Sequence, residues 1–235
     1  MPTFATPGPI TATVQVAGAR VRVTASDRTD TVVLVEPVNA ASRSDVKVAN
    51  KTKVDFAGGR LSVKTTAAGH KNGSVAITID LPAGSSLVAY LAHSDVQADG
   101  SFGECELHMA SGRVQLDRIA ALQANIAAGD VAIGEIAGRA DIDGSGGQIR
   151  IGHASSDLEL STASGGLDID RADGSVTATT ASGAIRIGRM RRGHAKLMNA
   201  SGDIEVGISA GHRCLHRRQQ RARVGAQLRS GAERR

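Results

Sequence analysis

Acidic side chains recur at one position of a repeated sequence, and they are the residues best able to do chemistry. In chain order this position holds Glu106, Gln123, Asp141, Glu159, Thr177 and Lys196. If successive repeats stack, Asp141 and Glu159 become neighbours on the outer face. Two adjacent carboxylates can bind a hard cation such as Ca²⁺ or act as an acid–base pair. The competing interpretation is a solvated face, and the mixed charges of the row favour it.

Other catalytic and metal-binding patterns are not found in the sequence. There is no GxSxG motif, no phosphate-binding loop and no GxGxxG turn between a strand and a helix. Cys105 occupies an apolar position, which predicts a buried thiol, and with Cys214 it makes neither a disulfide framework nor a metal quartet. The histidines of the repeats occupy different repeat positions and form no ladder: His93, His108, His153 and His194. The sequence therefore predicts no catalytic residue, no metal and no cofactor.

The acidic row belongs to a repeat of about eighteen residues. The segment TASGGLDID at 162–170 returns as TASGAIRIG at 180–188. Glycines anchor six copies at intervals of 17 to 19 residues, and Ser94 takes the glycine position in a seventh. The anchors, which we expect to be structural turn residues, are Gly112, Gly129, Gly147, Gly165, Gly183 and Gly202.

Apolar residues alternate on both sides of each anchor. Ile149 and Ile151 follow Gly147 by two and four residues, and Ala140 and Ile142 precede it by seven and five. A spacing of two is that of a β-strand with one buried face. Each repeat therefore predicts a short strand, a corner of small residues, a second strand and a polar turn. Glycine suits the corner because it adopts a positive φ without steric strain.

A unit of this kind cannot bury its apolar face alone, and a fixed period near twenty residues predicts a solenoid. We expect an all-β chain that forms a single-stranded parallel β-helix, or β-solenoid, with coils of about eighteen residues. An ordinary β-sandwich is the alternative, but it does not require anchors in register over seven copies. The predicted organisation is a less regular N-terminal β-layer with capping coils at 1–82, solenoid repeats at 83–210 and a basic tail at 211–235.

Charge is distributed unevenly between the repeats and the tail. The tail contains eight arginines and one acid, which is more positive charge than the net +5 of the whole chain. The preceding residues are therefore faintly acidic. Aromatic residues make up only 2% of the chain, which fits a thin aliphatic core. Because no run of eighteen apolar residues and no signal-peptide pattern is found, we expect a cytoplasmic protein.

Several longer segments carry a family resemblance. They are the opening MPTFATPGPI, the stretches VRVTASDRTDTVVLVEPV and KVDFAGGRLSVK, and the repeated SGDI and SGAIRIG units. Over residues 1 to about 210 the sequence resembles a bacterial putative-adhesin family of unknown function with β-strand repeats, and its N-terminus is most similar to actinobacterial members. The resemblance implies a β-helical fold and an adhesive role, and it brings no catalytic residues with it.

The tail departs from that family pattern. Members usually continue with further strands, whereas here the alternation ends at Ala210 and an Arg-, Gln- and His-rich run follows. Such a composition is typical of a GC-rich gene read in a shifted frame, so a frameshifted or disordered end is one interpretation. A genuine basic tail that attracts nucleic acid or anionic lipid is the other, although it lacks interleaved aromatics and any groove-reading motif.

Two classes of function remain. The first is a non-catalytic, adhesin-like scaffold or protein-interaction module, in which a protein partner or a second copy binds the solenoid faces or ends. The second is a polysaccharide-binding or polysaccharide-active β-helix protein, and the absence of Trp and the single Tyr weigh against it. We expect the first, with no enzymatic activity, no transmembrane segment and no nucleic-acid binding apart from the basic tail.

Overall fold

The apolar alternation of the sequence forms a long stack of β-strands. The computed structural model describes residues 2–65 and 73–208. A single helix among these residues, α1, spans Arg43–Lys51. The strands are β1 Thr3–Ala5, β2 Thr11–Ala17, β3 Ala19–Ser26, β4 Asp30–Pro37, β5 Lys53–Ala57, β6 Arg60–Lys64, β7 Val75–Pro82, β8 Ser86–Ile126, β9 Asp130–Ile136, β10 Ala140–Gly144, β11 Gln148–Ala154, β12 Leu158–Ser164, β13 Gly166–Ala172, β14 Val176–Ser182, β15 Ile185–Met190, β16 Ala195–Ser201 and β17 Ile204–Ile208.

From β9 to β15, each strand pairs in parallel with the strand two places further along the chain, and the long β8 pairs in parallel with both β9 and β10. One stack contains β10, β12, β14 and β16, and the second contains β9, β11, β13, β15 and β17. Paired residues lie one repeat apart, as in Asp141 with Glu159 and Ile149 with Leu167. Each repeat therefore contributes one strand to each stack, and the architecture is a β-solenoid-like repeat.

The N-terminal strands continue the two stacks and then reverse direction. β2 and β3 pair in parallel with β8, and β6 and β7 extend the stacks outward in parallel. Beyond them β5 runs antiparallel to β6, and β4 runs antiparallel to β7 with the short β1 beside it. The helix α1 packs against β4 and β7. The domain boundary expected between residues 82 and 83 stays a prediction, and the tail lies outside the described residues.

The core is a set of aliphatic ladders between the two stacks. In the coils anchored by Ser94 through Gly183, the residues two and four after the anchor and those five and seven before it are all buried. In the coil of Gly202, Leu197, Ile204 and Val206 are only partly buried. Burying one valine, leucine or isoleucine side chain of these ladders stabilises the fold by about 1.5–3 kcal/mol, so the ladders are the main favourable contribution to folding.

The anchor glycines form a column in which each one from Gly129 onward touches the glycine of the preceding coil, and Gly112 touches Ser94. All six have a positive φ, from 109° at Gly147 to 147° at Gly183. A Cβ on Gly147 would overlap the carbonyl oxygen of Gly129, and a Cβ on Gly165 would overlap that of Gly147. Backbone conformation and close approach therefore both require glycine at this corner.

The seventh anchor position is occupied without a glycine. Ser94 holds the glycine position, and the positive φ, 49°, moves to His93. The Ser94 hydroxyl accepts a hydrogen bond from the Ala19 amide at 3.2 Å and donates one to the Ala92 carbonyl at 3.0 Å. These two bonds satisfy a hydroxyl that is buried at the corner.

A capped helix covers part of the N-terminal strands. The Ser42 hydroxyl accepts a hydrogen bond from the Asp45 amide at the start of α1. The Asp45 carboxylate accepts bonds from the Ser74 amide at 3.1 Å and the Asn39 amide at 3.0 Å, so it ties the helix to the sheet. No helix in residues 2–65 and 73–208 has the length and hydrophobicity needed to cross a membrane.

Replacing Gly147 with alanine tests the glycine column. We expect Gly147→Ala to lower the free energy of unfolding by at least about 2 kcal/mol, because a side chain at this φ adds about 1–3 kcal/mol of strain and its Cβ also overlaps the Gly129 carbonyl. Chemical denaturation followed by circular dichroism measures the loss. The matched control is Gly8→Ala, where an added methyl has no heavy atom within 4 Å. Equal denaturation midpoints for the two variants would contradict the role given to the column.

Candidate functional site

An open groove runs across the coils beside the corner that precedes the anchors. It crosses six layers of backbone and has a volume of about 730 Å³. The corner leaves this space because its side chains are small: Ala17, Ala92, Ala110, Ala127 and Ser145. The outward row four residues before the anchor positions lines the groove, with Tyr90, His108, Asn125 and Asp143. We name this feature the Tyr90 groove.

Tyr90 and His108 form a fixed aromatic pair in the groove. Tyr90 is 41% exposed, and its ring stacks on that of His108 with centroids 4.8 Å apart and 5° between the ring planes. His108 Nε2 donates a hydrogen bond to Glu106 Oε1 at 2.7 Å. Stacking and this hydrogen bond together limit the rotation of both rings. The pair therefore offers a preorganised aromatic surface that solvent can reach.

The rest of the row supplies uncharged or acidic hydrogen-bonding groups. Asn125 and Asp143 are exposed register partners on neighbouring coils, and Gln15 lines the other end of the groove. An amide both donates and accepts hydrogen bonds, whereas a carboxylate accepts them. Among the described residues that line the groove there is no lysine or arginine. The groove therefore suits a ligand rich in hydroxyl groups and disfavours a polyanion.

The predicted acidic row lies on the same stack, in the other outward position. The register places Asp141 between Gln123 and Glu159, as its spacing implies. Glu159 Oε2, however, accepts a hydrogen bond from Arg139 Nη2 at 3.0 Å, so this carboxylate has a cation of its own. In the described part of the chain, no group of three or more His, Cys, Asp or Glu side chains is arranged to hold a metal ion. A cation or ligand site at Asp141 and Glu159 stays a prediction.

Sequence reasoning missed the Tyr90 groove because it considered only one of two outward rows. In a strand with one buried face, the positions four and six residues before the anchor both point outward. The first of these rows contains Tyr90, His108, Asn125, Asp143, Ser161, Thr179 and Met198. Its aromatic and amide side chains were therefore visible in the sequence. The concave shape was not, because it depends on how the strands bend around the small corner residues.

A second polar cluster lies at the turn that follows the strands of the second stack. The Asp173 carboxylate accepts hydrogen bonds from Arg171 Nε at 3.0 Å and Nη2 at 2.7 Å, and it lies 3.1 Å from His153 Nε2. Arg191 Nη1 lies 4.0 Å from Asp173 Oδ2, and Arg192 Nε donates to the Asp173 backbone carbonyl at 2.8 Å. We name these residues, with Arg189, the Arg corner.

The two most strongly perturbed titratable groups lie outside the Tyr90 groove. The Arg171 hydrogen bonds, opposed in part by burial and helped by His153, hold the pKa of Asp173 well below its usual range. Burial raises the pKa of the Cys105 thiol to about 12, so this thiol stays protonated at neutral pH. The predicted burial of Cys105 is confirmed, and Cys214 lies outside the described residues.

The chain belongs to the Toastrack DUF4097 family, which it matches over residues 12–228. That match extends past Ala210, where the repeat ends. Two solved structures described as a "putative adhesin" are similar in fold. The protein from Parabacteroides distasonis has 14% sequence identity and a TM-score of 0.52, and the one from Bacteroides fragilis has 12% and 0.50. Both comparisons cover 88% of this chain and 95% of the other. A search of curated proteins found no match.

The low pKa of Asp173 predicts how Asp173→Asn changes acid stability. An unfolded aspartate has a pKa of about 3.9, so the ionised folded carboxylate stabilises the protein above that pH, and the contribution is lost as the pH falls below it. Asp173→Asn should therefore lower the thermal midpoint at neutral pH and flatten its decline below about pH 4. Thermal unfolding by circular dichroism between acidic and neutral pH measures both effects.

The control for this experiment is Asp170→Asn, which removes an exposed carboxylate from the same coil. Its curve of thermal midpoint against pH should follow that of the wild type. A curve for Asp173→Asn that runs parallel to the wild type below pH 4 would show that Asp173 does not stabilise the fold.

Proposed function

We propose that the protein is a non-catalytic, adhesin-like interaction module in which a β-solenoid serves as a rigid scaffold for binding. In this proposal the coils form one single-stranded parallel β-helix, and the N-terminal β-layer caps it. Parallel pairing between residues one repeat apart supports that chain path. A family whose similar solved structures are described as "putative adhesin" is consistent with a binding role.

The Tyr90 groove is the observation that carries the proposal. Its backbone belongs to paired strands, and its aromatic pair is fixed by stacking and by Glu106. Such a surface loses little conformational freedom when it binds, which favours affinity. The groove crosses six layers of backbone, which at the usual spacing between strands is on the order of 20 Å. It therefore suits an extended ligand.

The perturbed titratable groups favour a role without covalent or acid–base chemistry. Catalytic groups are usually tuned so that they can exchange a proton near neutral pH. Here burial keeps the Cys105 thiol protonated, and Arg171 keeps Asp173 ionised. Both shifts move the pKa of the group further from neutral pH, and neither residue lines the groove. These groups stabilise the coils.

A polysaccharide is the second candidate partner, and the exposed Tyr90 ring favours it. Sugar rings pack their C–H faces against aromatic side chains and direct hydroxyl groups to amides and carboxylates. Tyr90, Asn125 and Asp143 supply these groups along one row. Because the groove has acidic and uncharged groups, neutral sugars or amino sugars fit it better than acidic sugars.

Substitutions in the groove test both proposals. We expect Tyr90→Ala and Asn125→Ala each to weaken binding of neutral or amino-sugar oligosaccharides about tenfold, which corresponds to about 1.4 kcal/mol. A glycan array identifies the ligand, and calorimetry measures affinity for both variants. Tyr90 is the only tyrosine and the chain has no tryptophan, so tyrosine fluorescence also reports directly on occupancy in the wild type and in Asn125→Ala.

The control is Thr177→Ala, which changes the other outward row of the same stack and should leave affinity unchanged. Equal affinity in both groove variants and the wild type would contradict the assignment of the groove. Turnover of a bound oligosaccharide would contradict the non-catalytic proposal. If no saccharide binds, but light scattering shows a dimer that both groove variants weaken, the partner is a second copy and the polysaccharide candidate is wrong.

A further inference from the structure

The Arg corner carries more positive charge than its carboxylate neutralises. Arg171, Arg191 and Arg192 converge on Asp173, and Arg189 lies beside Arg171 in register on the next coil. Among the described residues, no carboxylate other than Asp173 forms an ion pair with these four arginines. The corner therefore concentrates cationic groups on one side of the last coils.

The backbone holds this corner in place. The Asp173 amide donates to the Ala154 carbonyl at 2.8 Å, and the Arg191 amide donates to the Ala172 carbonyl at 3.0 Å. The next turn is also closely stacked, because a Cβ on Gly193 would overlap the backbone of Gly174. Arg191 and Arg192 are thus displayed from a turn that is stacked on its neighbour.

Most of the hydrogen-bond donors of these arginines are available to a ligand. Arg171 uses Nε and Nη2 on Asp173. Among the described residues, Arg192 uses only Nε, on a backbone carbonyl, and the Arg191 side chain is 59% exposed. A guanidinium has five N–H donors in a planar fork. The exposed forks of Arg189, Arg191 and Arg192 therefore point to an oxyanion as the ligand.

We propose that the Arg corner is a phosphate-binding site in which Arg189, Arg191 and Arg192 contact the ligand. Guanidinium groups bind phosphate oxygens in pairs. A phosphate monoester carries a charge of about −1.5 to −2 at neutral pH, which matches the excess charge of the corner better than one carboxylate does. Arg171 and Asp173 are positioning residues. The site is separate from the Tyr90 groove, whose described lining has no lysine or arginine, and does not depend on its function.

Binding of inorganic polyphosphate to the full chain tests this site. We expect the double variant Arg191→Gln/Arg192→Gln to lose at least tenfold in affinity, measured by calorimetry. The matched control, Arg20→Gln/Arg113→Gln, removes the same charge from exposed arginines elsewhere and should change affinity less than twofold. Circular dichroism checks that all variants are folded.

The arginines of the tail require a further variant, because they also attract polyanions. With all eight changed to glutamine, the corner substitutions should still cause a further tenfold loss of affinity. Equal binding by the corner variant and its control, with or without the tail arginines, would overturn the proposal.

Competition separates the two sources of phosphate. Inorganic phosphate should displace polyphosphate at concentrations where sodium chloride of equal ionic strength does not, if the corner recognises single phosphate groups. Displacement by inorganic phosphate assigns a small phosphorylated ligand to the site. Failure of phosphate to compete, with the corner variant still impaired, assigns a phosphate polymer. Equal displacement by both salts would show unspecific attraction and overturn the proposal.

Discussion

The close approach of the anchor glycines sets the position of every other row in the molecule. Each glycine corner rests on the carbonyl of the coil before it, with no space for a Cβ between them. A slip of one residue would bring a side chain into this contact and would also turn the apolar face of each strand outward. The register that the glycines fix is therefore inherited by the aliphatic ladders inside and by the polar rows outside.

A scaffold of this kind separates folding from surface chemistry. Inward positions repeat the same small set of aliphatic residues, whereas outward positions differ between coils without disturbing the stack. The N-terminal coils place an aromatic pair and amides beside a corner of alanines. The C-terminal coils place arginines around one partly buried carboxylate. Two chemically distinct surfaces thus arise on one backbone, at opposite corners of the coil.

The sequence predicts the interior well because the interior is periodic. Alternation around Gly147 identifies buried Ile149 and Ile151, and the spacing alone pairs Asp141 with Glu159. Features that break the period are harder to predict. The reversal to antiparallel strands at β4 and β5 depends on how the N-terminal end is closed, and Glu159 takes its partner, Arg139, from outside its own row.

The two proposed binding surfaces show the same limit of prediction from the sequence. A groove is a property of shape, and the shape of the Tyr90 groove follows from small side chains on five different coils. The Arg corner depends on side chains from successive turns that meet at Asp173. Residue types in a single row indicate which groups face outward, but they do not indicate which groups converge.

Distances between spin labels at four outward positions test the stacked register most directly. The positions are Gln123, Glu159, Thr177 and Lys196. Each labelled chain carries one label at Gln123 and one at another of these positions, and its native cysteines are replaced. Stacked coils predict that the distance from Gln123 grows by about 4.8 Å per coil, with Glu159 two coils away, Thr177 three and Lys196 four, although the last coil has nineteen residues. Distances that fail to increase by one strand spacing per repeat would contradict the β-solenoid architecture on which both binding surfaces depend.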